Sequence, residues 1–406
     1  MKTRRDFLKA SALFGAAAVS FPVQYALGQE STSAERDPRL FTSGHGNLRP
    51  RAVQPRVITI PDVPVANGKA YKVLKGDFHI HTLFSDGHVM PNARVQEAIQ
   101  NGFDCISITD HIEYRPNLGG NSIKLAEGND DHNIAYTMAK PLADRNNLIL
   151  VRGTEITKPE WHFNAIFLED VNKVAAVVDD WQKMLAVAND QGAFVFWNHP
   201  SWVDRTPDAA PFGRLSNDEP MRFFDEIAEV TNRGHMHGIE VFNGTSHYPI
   251  VSDWRNEHNL GLVGVSDAHA SDLAQYGVPN FRRPMTLILA EERTEKSIRE
   301  AFFACRTIAW AADMIFGRPE WVAKLFAACV AIHGGERVGD GTLVLVENKS
   351  DIPIHLQVGD KEYDLKPRAG RPIDFGDGDK CRVTNWYVGT FKPLEFTFAS
   401  LVDVRS

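Results

Sequence analysis

His79 and His81 are separated by one residue in the segment Asp77-Phe78-His79-Ile80-His81-Thr82-Leu83-Phe84-Ser85-Asp86-Gly87. If that segment ends a strand, residues i and i+2 share a face. The two imidazoles then point together, and Phe78 and Ile80 point the other way, toward a helix layer. Two such rings form half of a metal site. The pattern recurs down the chain. Ile106–Thr109 runs into Asp110-His111, and Leu150–Thr154 runs into Glu155, with His162 shortly after. Phe194–Trp197 runs into Asn198-His199-Pro200, and Val263–Ser266 into Asp267-Ala268-His269, a second same-face pair. Six of the fifteen histidines thus fall at or just beyond apolar runs, beside Asp and Glu, which scattered surface histidines would not do. Imidazole and carboxylate donors without thiolate suit Zn, Mn or Fe and do not choose among them.

The elements that must position these donors are legible as an alternation. The apolar runs Phe103–Thr109, Leu148–Val151, Ala193–Trp197, Gly238–Phe242, Leu262–Val265 and Met285–Leu289 are spaced by helix-like stretches such as Ala93–Gln100, Val177–Asp190, Met221–Thr231 and Thr294–Phe303. Strands alternating with helices give a mostly parallel sheet. Roughly 240 residues of this pattern fit a β/α barrel, whose C-terminal mouth collects strand-end residues. A doubly wound open sheet is the alternative. Val57–Ile60 reads as one more strand, in a polar, proline-bearing arm over residues 29–70. From about Gly317 the character changes. Glu320–Ile332 reads as one apolar-faced helix within a linker over 316–337. Leu343–Val346, Ile354–Val358 and Cys381–Val388 then read as a small antiparallel β domain over 338–406.

The chain has 406 residues, 43% of them apolar, enough for a large core. Its first residues read Thr3-Arg4-Arg5-Asp6-Phe7-Leu8-Lys9, followed by an Ala-rich apolar run to about Leu27. This predicts a signal peptide over residues 1–28, and its Arg pair resembles the twin-arginine address read by a dedicated export machinery. The expected location is periplasmic or secreted. Pro22 and the shortness of the run argue against a stable membrane span. Residues 1–28 carry four positive charges and one negative, so their removal takes the net charge from −8 to −11. That excludes a nucleic-acid-binding patch built on excess positive charge, whereas bound cations can still reverse the local sign for a small phosphate ester. The cysteines at 105, 305, 329 and 381 are too widely spaced for a disulfide framework or thiolate cluster. Cys105, inside an apolar run, is expected in the core.

The order His-x-His, Ser-Asp-Gly, Thr-Asp-His, Gly-Thr-Glu, a later His, Asn-His-Pro and Ser-Asp-x-His resembles, across residues 75–270, the polymerase-and-histidinol-phosphatase (PHP) phosphoesterases. The resemblance implies a distorted (β/α)7 barrel over residues 71–315, with two to three divalent metal ions at its mouth. It implies a first site of His79, His81, Glu155 and Asp267. Glu155 would bridge to a second metal completed by His162 and His199, and Asp86, His111 and His269 would hold a third. His88 is the neighbouring alternative to Asp86. A hydroxide shared by two metals is a strong nucleophile near neutral pH, so Glu155 and Asp267 are the expected catalytic carboxylates. The third metal would neutralise charge on a phosphate oxygen. Arg115, Tyr114 and Asn243 are candidates for substrate contacts, and Glu240 for backing a ligand. The expected function is an exported phosphoesterase acting on small monoesters or diesters. A metal hydrolase of C–N or C–O bonds and a non-catalytic metal-binding module are the alternatives.

Overall fold

In the computed structural model, which describes residues 56–119, 131–157, 161–203, 213–214, 221–272, 282–339, 341–376 and 378–399, the expected apolar runs form the strands of one curved sheet. Strands β1 (Ala70–Asp77), β2 (Cys105–Ile108) and β3 (Ile149–Thr157) pair in parallel. Strand β4 (His162–Ile166) returns antiparallel between β3 and β5 (Phe194–Trp197). The parallel order resumes through β6 (Gly238–Asn243) and β7 (Gly261–Val265). On the far side of β1, β8 (Met285–Ala290) and β9 (Thr307–Ala311) continue antiparallel. Every residue of β2, β5, β7 and β8 is buried, which is why they read as unbroken apolar runs rather than alternating ones. The expected signal peptide and the arm up to residue 55 lie outside the described residues. Val57–Ile60 is not a strand: Thr59 N–H is taken by the Asp351 carboxylate at 2.6 Å, and Val63–Pro64 pairs with β1 instead.

The longer helices cover the sheet: α1 (Pro91–Asn101), α2 (Ile134–Arg145), α3 (Trp181–Asp190), α4 (Asp225–Asn232), α5 (Val251–His258) and α6 (Glu295–Phe303). Pro91 at the first position and Gly102 at φ 78° after the last turn delimit α1, in line with the preferences of helix ends. One apolar cluster takes Leu74, Cys105, Val151, Phe194, Val263 and Ile288 from separate strands and is closed by Ile298 and Phe302 of α6. This is the inside of the curl. The backbone ladder does not close the expected seven-stranded barrel, because β7 pairs with β6 but not with β8 or β9. The reason lies at Gly264. The Thr286 hydroxyl on β8 accepts from its N–H at 3.1 Å and donates to its carbonyl at 2.9 Å, satisfying groups that a neighbouring strand would have used. A Cβ on Gly264 would lie 2.9 Å from the Met285 carbonyl, so only glycine allows this approach.

After β9, β10 (Met314–Gly317) leads to α7 (Pro319–Cys329). The single helix expected over Glu320–Ile332 ends at Cys329, and Val330–Val338 is strand β11. Val330 and Ile332 pair with Asn348 and Val346 of β12 (Gly341–Asn348), a tertiary preference that overrides the short apolar run. β11, β12 and β15 (Gly370–Gly376) form a separate sheet. β13 (Ile354–Val358), β14 (Lys361–Leu365), β16 (Lys380–Gly389) and β17 (Lys392–Thr397) join the main sheet, because Ile315 and Phe316 of β10 pair in parallel with Trp386 and Tyr387. Val346, Leu356, Ile373 and Trp386 share one core cluster with Val95 and Ala139 of α1 and α2. All four cysteines are buried and unpaired, Cys105 included. No helix among the described residues is long and apolar enough to cross a membrane.

Candidate metal centre

The donors lie just beyond strand ends, where chain direction and burial bring them together. β1 ends at Asp77, and the alternation expected through Phe78 and Ile80 breaks there. Phe78 packs at 4.8 Å on Phe302 in the inner cluster, whereas Ile80 joins the cluster shared with α1 and α2. His79 and His81 nevertheless converge, with Nε2 atoms 3.0 Å apart. Glu155 Oε2 lies 3.1 and 3.2 Å from those two nitrogens, and Asp267 Oδ1 lies 3.2 and 3.1 Å from them. Donors about 2.0–2.1 Å from a tetrahedral metal stand a little over 3 Å from one another, so this set fits a divalent ion.

Around this group the remaining expected ligands close in. The other Glu155 oxygen meets His162 Nδ1 at 2.9 Å and His199 Nε2 at 3.7 Å. Asp86 Oδ2 lies 3.2 Å from His269 Nε2 and 3.5 Å from His111 Nε2, and the His81 ring stacks between those of His111 and His269. His81, Asp86, His111 and His269 form one potential metal group; His79, His81 and Asp267 form a second, and His79, Glu155 and His199 a third. His88 is exposed, and only its backbone N–H reaches the area, donating to the His269 carbonyl at 2.7 Å. Asp86, not His88, therefore reaches the cluster.

Burial and charge oppose each other here. Burial alone would lower the His81 pKa, but the hydrogen bonds and charges of Asp267 and Glu155 outweigh it and raise it to about 10. His79 is likewise raised against burial by Asp267, Glu155 and Glu240. Burial opposes ionisation of Glu155, Asp267 and Asp86, yet the surrounding imidazoles hold all three carboxyls well below their ordinary range. For His162 burial wins and its pKa falls. A knot of buried carboxylates and imidazoles of this kind is what a bound cation would organise.

The supports are as specific as the donors. Glu240, fully buried, takes His79 Nδ1 at 2.7 Å and the His199 N–H at 2.5 Å, so it orients ligands from two segments. Asn198 donates to Glu155 Oε1 at 2.9 Å. Asp110 accepts from Thr82 N–H at 2.7 Å and from the Ser85 hydroxyl at 2.6 Å, which fixes the turn that delivers Asp86. A Cβ on Gly87 would lie 2.6 Å from the His81 carbonyl carbon, so glycine lets that turn lie against the ligand strand. His199 and Asp267 hold φ of 25° and 50°, uncommon for residues other than glycine and typical of functional positions.

A cavity of about 530 Å³ opens onto the cluster, lined among others by Tyr114, Asn243, Thr157, Thr245 and Ser246. Tyr114 is half-exposed with its ring 5.7 Å from that of His111, and Asn243 donates to Asp267 Oδ2 at 3.1 Å. Arg115 is absent from this lining; its guanidinium donates to the Phe84 carbonyl at 3.0 Å and buttresses the same turn as Asp110. Thr157 escaped the sequence reading. Its signal was available, since it stands two residues after Glu155 on the same strand face and its hydroxyl bonds His111 Nδ1. Thr245 and Ser246 follow Asn243 after the intervening Gly244. The C-terminal turn after β16 meets the segment leading into α5, through the Thr390 hydroxyl on the Pro249 carbonyl at 3.1 Å.

No family model matches the chain, and no curated protein does. A two-domain protein from Bacteroides vulgatus, containing a predicted PHP-like metal-dependent phosphoesterase, is 33% identical, with a TM-score of 0.72 over 85% of this chain and 98% of that one. A protein from Bifidobacterium adolescentis, also named a metal-dependent phosphoesterase, is 16% identical with a TM-score of 0.36, over 57% of this chain and 96% of its own. An amidohydrolase from Chromobacterium violaceum is 12% identical with a TM-score of 0.33, over 48% and 88%. With the identity and coverage of the first of these, the chain belongs to the PHP family of metal-dependent phosphoesterases.

Proposed function

We propose that the chain is a metal-dependent hydrolase of small phosphate monoesters or diesters, exported to the periplasm or beyond. The observation that carries the reading is the convergence of His79, His81, Glu155 and Asp267 within about 3 Å contacts at the floor of a ligand-sized cavity. Glu155 faces His79 and His81 with one oxygen and His162 with the other, so it is placed to bridge two ions. Asp86, His111 and His269 would hold a third. When bound, such ions supply Lewis acidity and an activated water near neutral pH. The chain's own residues do the rest. Glu240 and Thr157 fix the orientation of His79 and His111. Among the described residues that line the cavity none is Lys or Arg, so an anionic ester would depend on the bound cations for charge neutralisation. Tyr114, Asn243, Thr245 and Ser246 remain as neutral contacts for the ester and its leaving group.

Stripping the full chain with a chelator, reloading it with Zn, Mn or Fe(II), and assaying a phosphomonoester, a phosphodiester and an amide tests the reading. Metal-restored release from either phosphoester is expected. Turnover of the amide alone would favour a C–N hydrolase, and stoichiometric metal with no turnover would leave a binding module. Export is tested separately: Arg4→Lys/Arg5→Lys should block secretion while leaving lysate activity intact. Unaltered secretion of that double variant would rule out the twin-arginine route.

A further inference from the structure

The ligands come from two sides of a seam. His79 and His81 follow β1, whereas Asp267 and His269 follow β7, and no strand ladder joins β1 to β7. Beyond the strand ends the two segments touch through the Ile80–Ala268 bridge, with the His81 N–H donating to the Ala268 carbonyl at 3.0 Å. That bridge and the His88 N–H on the His269 carbonyl at 2.7 Å are a thin backbone connection for segments that must present donors about 3 Å apart.

Two arginines with essentially no exposed surface span this gap. Arg94, from α1, donates through Nε to the His81 carbonyl at 2.9 Å. Its Nη2 reaches the Ala268 carbonyl at 2.7 Å and its Nη1 the Ala270 carbonyl at 2.8 Å. One planar fork therefore grips a carbonyl on the β1 side and two that flank His269 on the β7 side. Arg283, just before β8, holds the same seam through other partners, and its Nη1 lies 3.3 Å from Asp272, whose N–H is taken by the Glu97 that pairs with Arg94. Arg283 Nη2 donates to Asp77 Oδ2 at 2.7 Å and to the Ser266 hydroxyl at 2.6 Å. Asp77 Oδ1 in turn accepts the Ser266 N–H at 3.1 Å and faces the His79 N–H at 3.5 Å. The bonded groups adjoin ligands on both sides: Asp77 precedes His79 by two residues, and Ser266 precedes Asp267.

Burying a guanidinium is unfavourable unless it is paired and hydrogen-bonded, and a buried ion pair is by itself weak evidence of net stability. We propose that Arg94 and Arg283 are positioning residues that set the separation of the two ligand-bearing segments, 79–81 and 267–269, across the seam. They act on the metal groups that straddle it: His79, His81 and Asp267, and His81, Asp86, His111 and His269. The group of His79, Glu155 and His199 comes from the β1, β3 and β5 segments, all on one side, and does not straddle the seam. The inference rests on the metal-binding half of the proposed function.

The test is Zn(II) binding to the full chain, titrated against a chromophoric chelator, for wild type, Arg94→Lys and Arg283→Lys. Arg306→Lys serves as the control. Arg306 is a buried arginine that donates to the Leu289 carbonyl and touches no ligand segment. Lysine keeps the charge but not the fork. In the Arg94 and Arg283 variants the straddling sites should weaken at least about tenfold, as loss of an outer support typically does. The His79–Glu155–His199 site, which does not straddle the seam, should weaken less than about threefold, and Arg306→Lys should lower the melting temperature without changing any affinity. Unchanged affinities in folded variants overturn the inference, as does uniform weakening of every site in step with melting temperature. Should both lysine variants fail to fold, Ser266→Ala removes a single Arg283 acceptor and should weaken the straddling sites about threefold; no change there overturns the inference equally. If wild type binds no Zn(II), the proposed function fails first, and the two failures are thereby told apart.

Discussion

Replacing Glu240 by Gln changes one oxygen to an NH2 in a fully buried side chain and leaves its shape intact. The consequence follows from its three partners. Oε1 takes His79 Nδ1 at 2.7 Å, while Oε2 takes the His199 N–H at 2.5 Å and the Asn243 amide at 3.0 Å. If the Gln oxygen stays at His79, its NH2 faces two donors, and a buried donor–donor contact costs about 1–3 kcal/mol. If the amide flips, its NH2 faces His79 Nδ1 and favours the tautomer with a proton on Nε2, the atom turned toward Glu155 and Asp267. Either arrangement damages the first metal group. Losing such an outer carboxylate typically weakens metal affinity about 10–100-fold, or about 1.4–2.8 kcal/mol. Zn(II) titration of folded Glu240→Gln measures this, with melting recorded in excess chelator to separate fold from site. Wild-type affinity, within about twofold, would refute the reasoning that Glu240 orients His79.

Glu155→Gln should lower phosphoester turnover at least about 1,000-fold while the chelated protein keeps its fold, because it removes the carboxylate placed between two ions; more than about a tenth of wild-type rate would contradict this. Asp86→Ala should remove one metal per chain and weaken phosphate binding, and elemental analysis showing no loss, or a loss of two, would reject its place in the third group. Loading the stripped protein at pH 7 should release protons. His81, whose folded pKa Asp267 and Glu155 raise to about 10 against burial, is protonated there and must give up a proton to ligate, and His79 is shifted in the same direction. A pH indicator in weak buffer registers the release, and proton uptake on loading would be the wrong sign.

Much of this was legible because metal chemistry leaves a dense trace. Donor residues recur where buried strands end, and the i, i+2 spacing of His79/His81 and Asp267/His269 needs no long-range knowledge. The sheet's strands were readable for a related reason: being buried on both faces, they appear as uninterrupted apolar runs. What escaped was set by tertiary contact. The sheet's failure to close depends on the Thr286 hydroxyl meeting Gly264, a pairing invisible in either segment alone. Val330–Ile332 continues an apolar helix pattern, and only its pairing partner in β12 makes it a strand. Arg115 has the charge to bind phosphate, but the Phe84 carbonyl claims it. The C-terminal strands were recognisable by composition, but not their attachment. The rings of Trp386 and Phe396 pack on Phe326 of α7, so cutting before Val338 would expose that face and is not a clean way to test what that region does.

The central claim is that the gathered donors make this chain hydrolyse phosphate esters by direct attack of water on phosphorus. A single turnover of the metal-loaded full chain in ¹⁸O water, followed by mass analysis of both products, tests it most directly. The account predicts one ¹⁸O in the phosphate-bearing product and none in the alcohol, with no product formed after chelation. Label in the alcohol would mean that the carbon–oxygen bond is cut. A phosphoenzyme, whose hydrolysis also labels the phosphate, is told apart by a chiral thiophosphate ester: direct attack inverts phosphorus, and retention of configuration or label in the alcohol would contradict the mechanism.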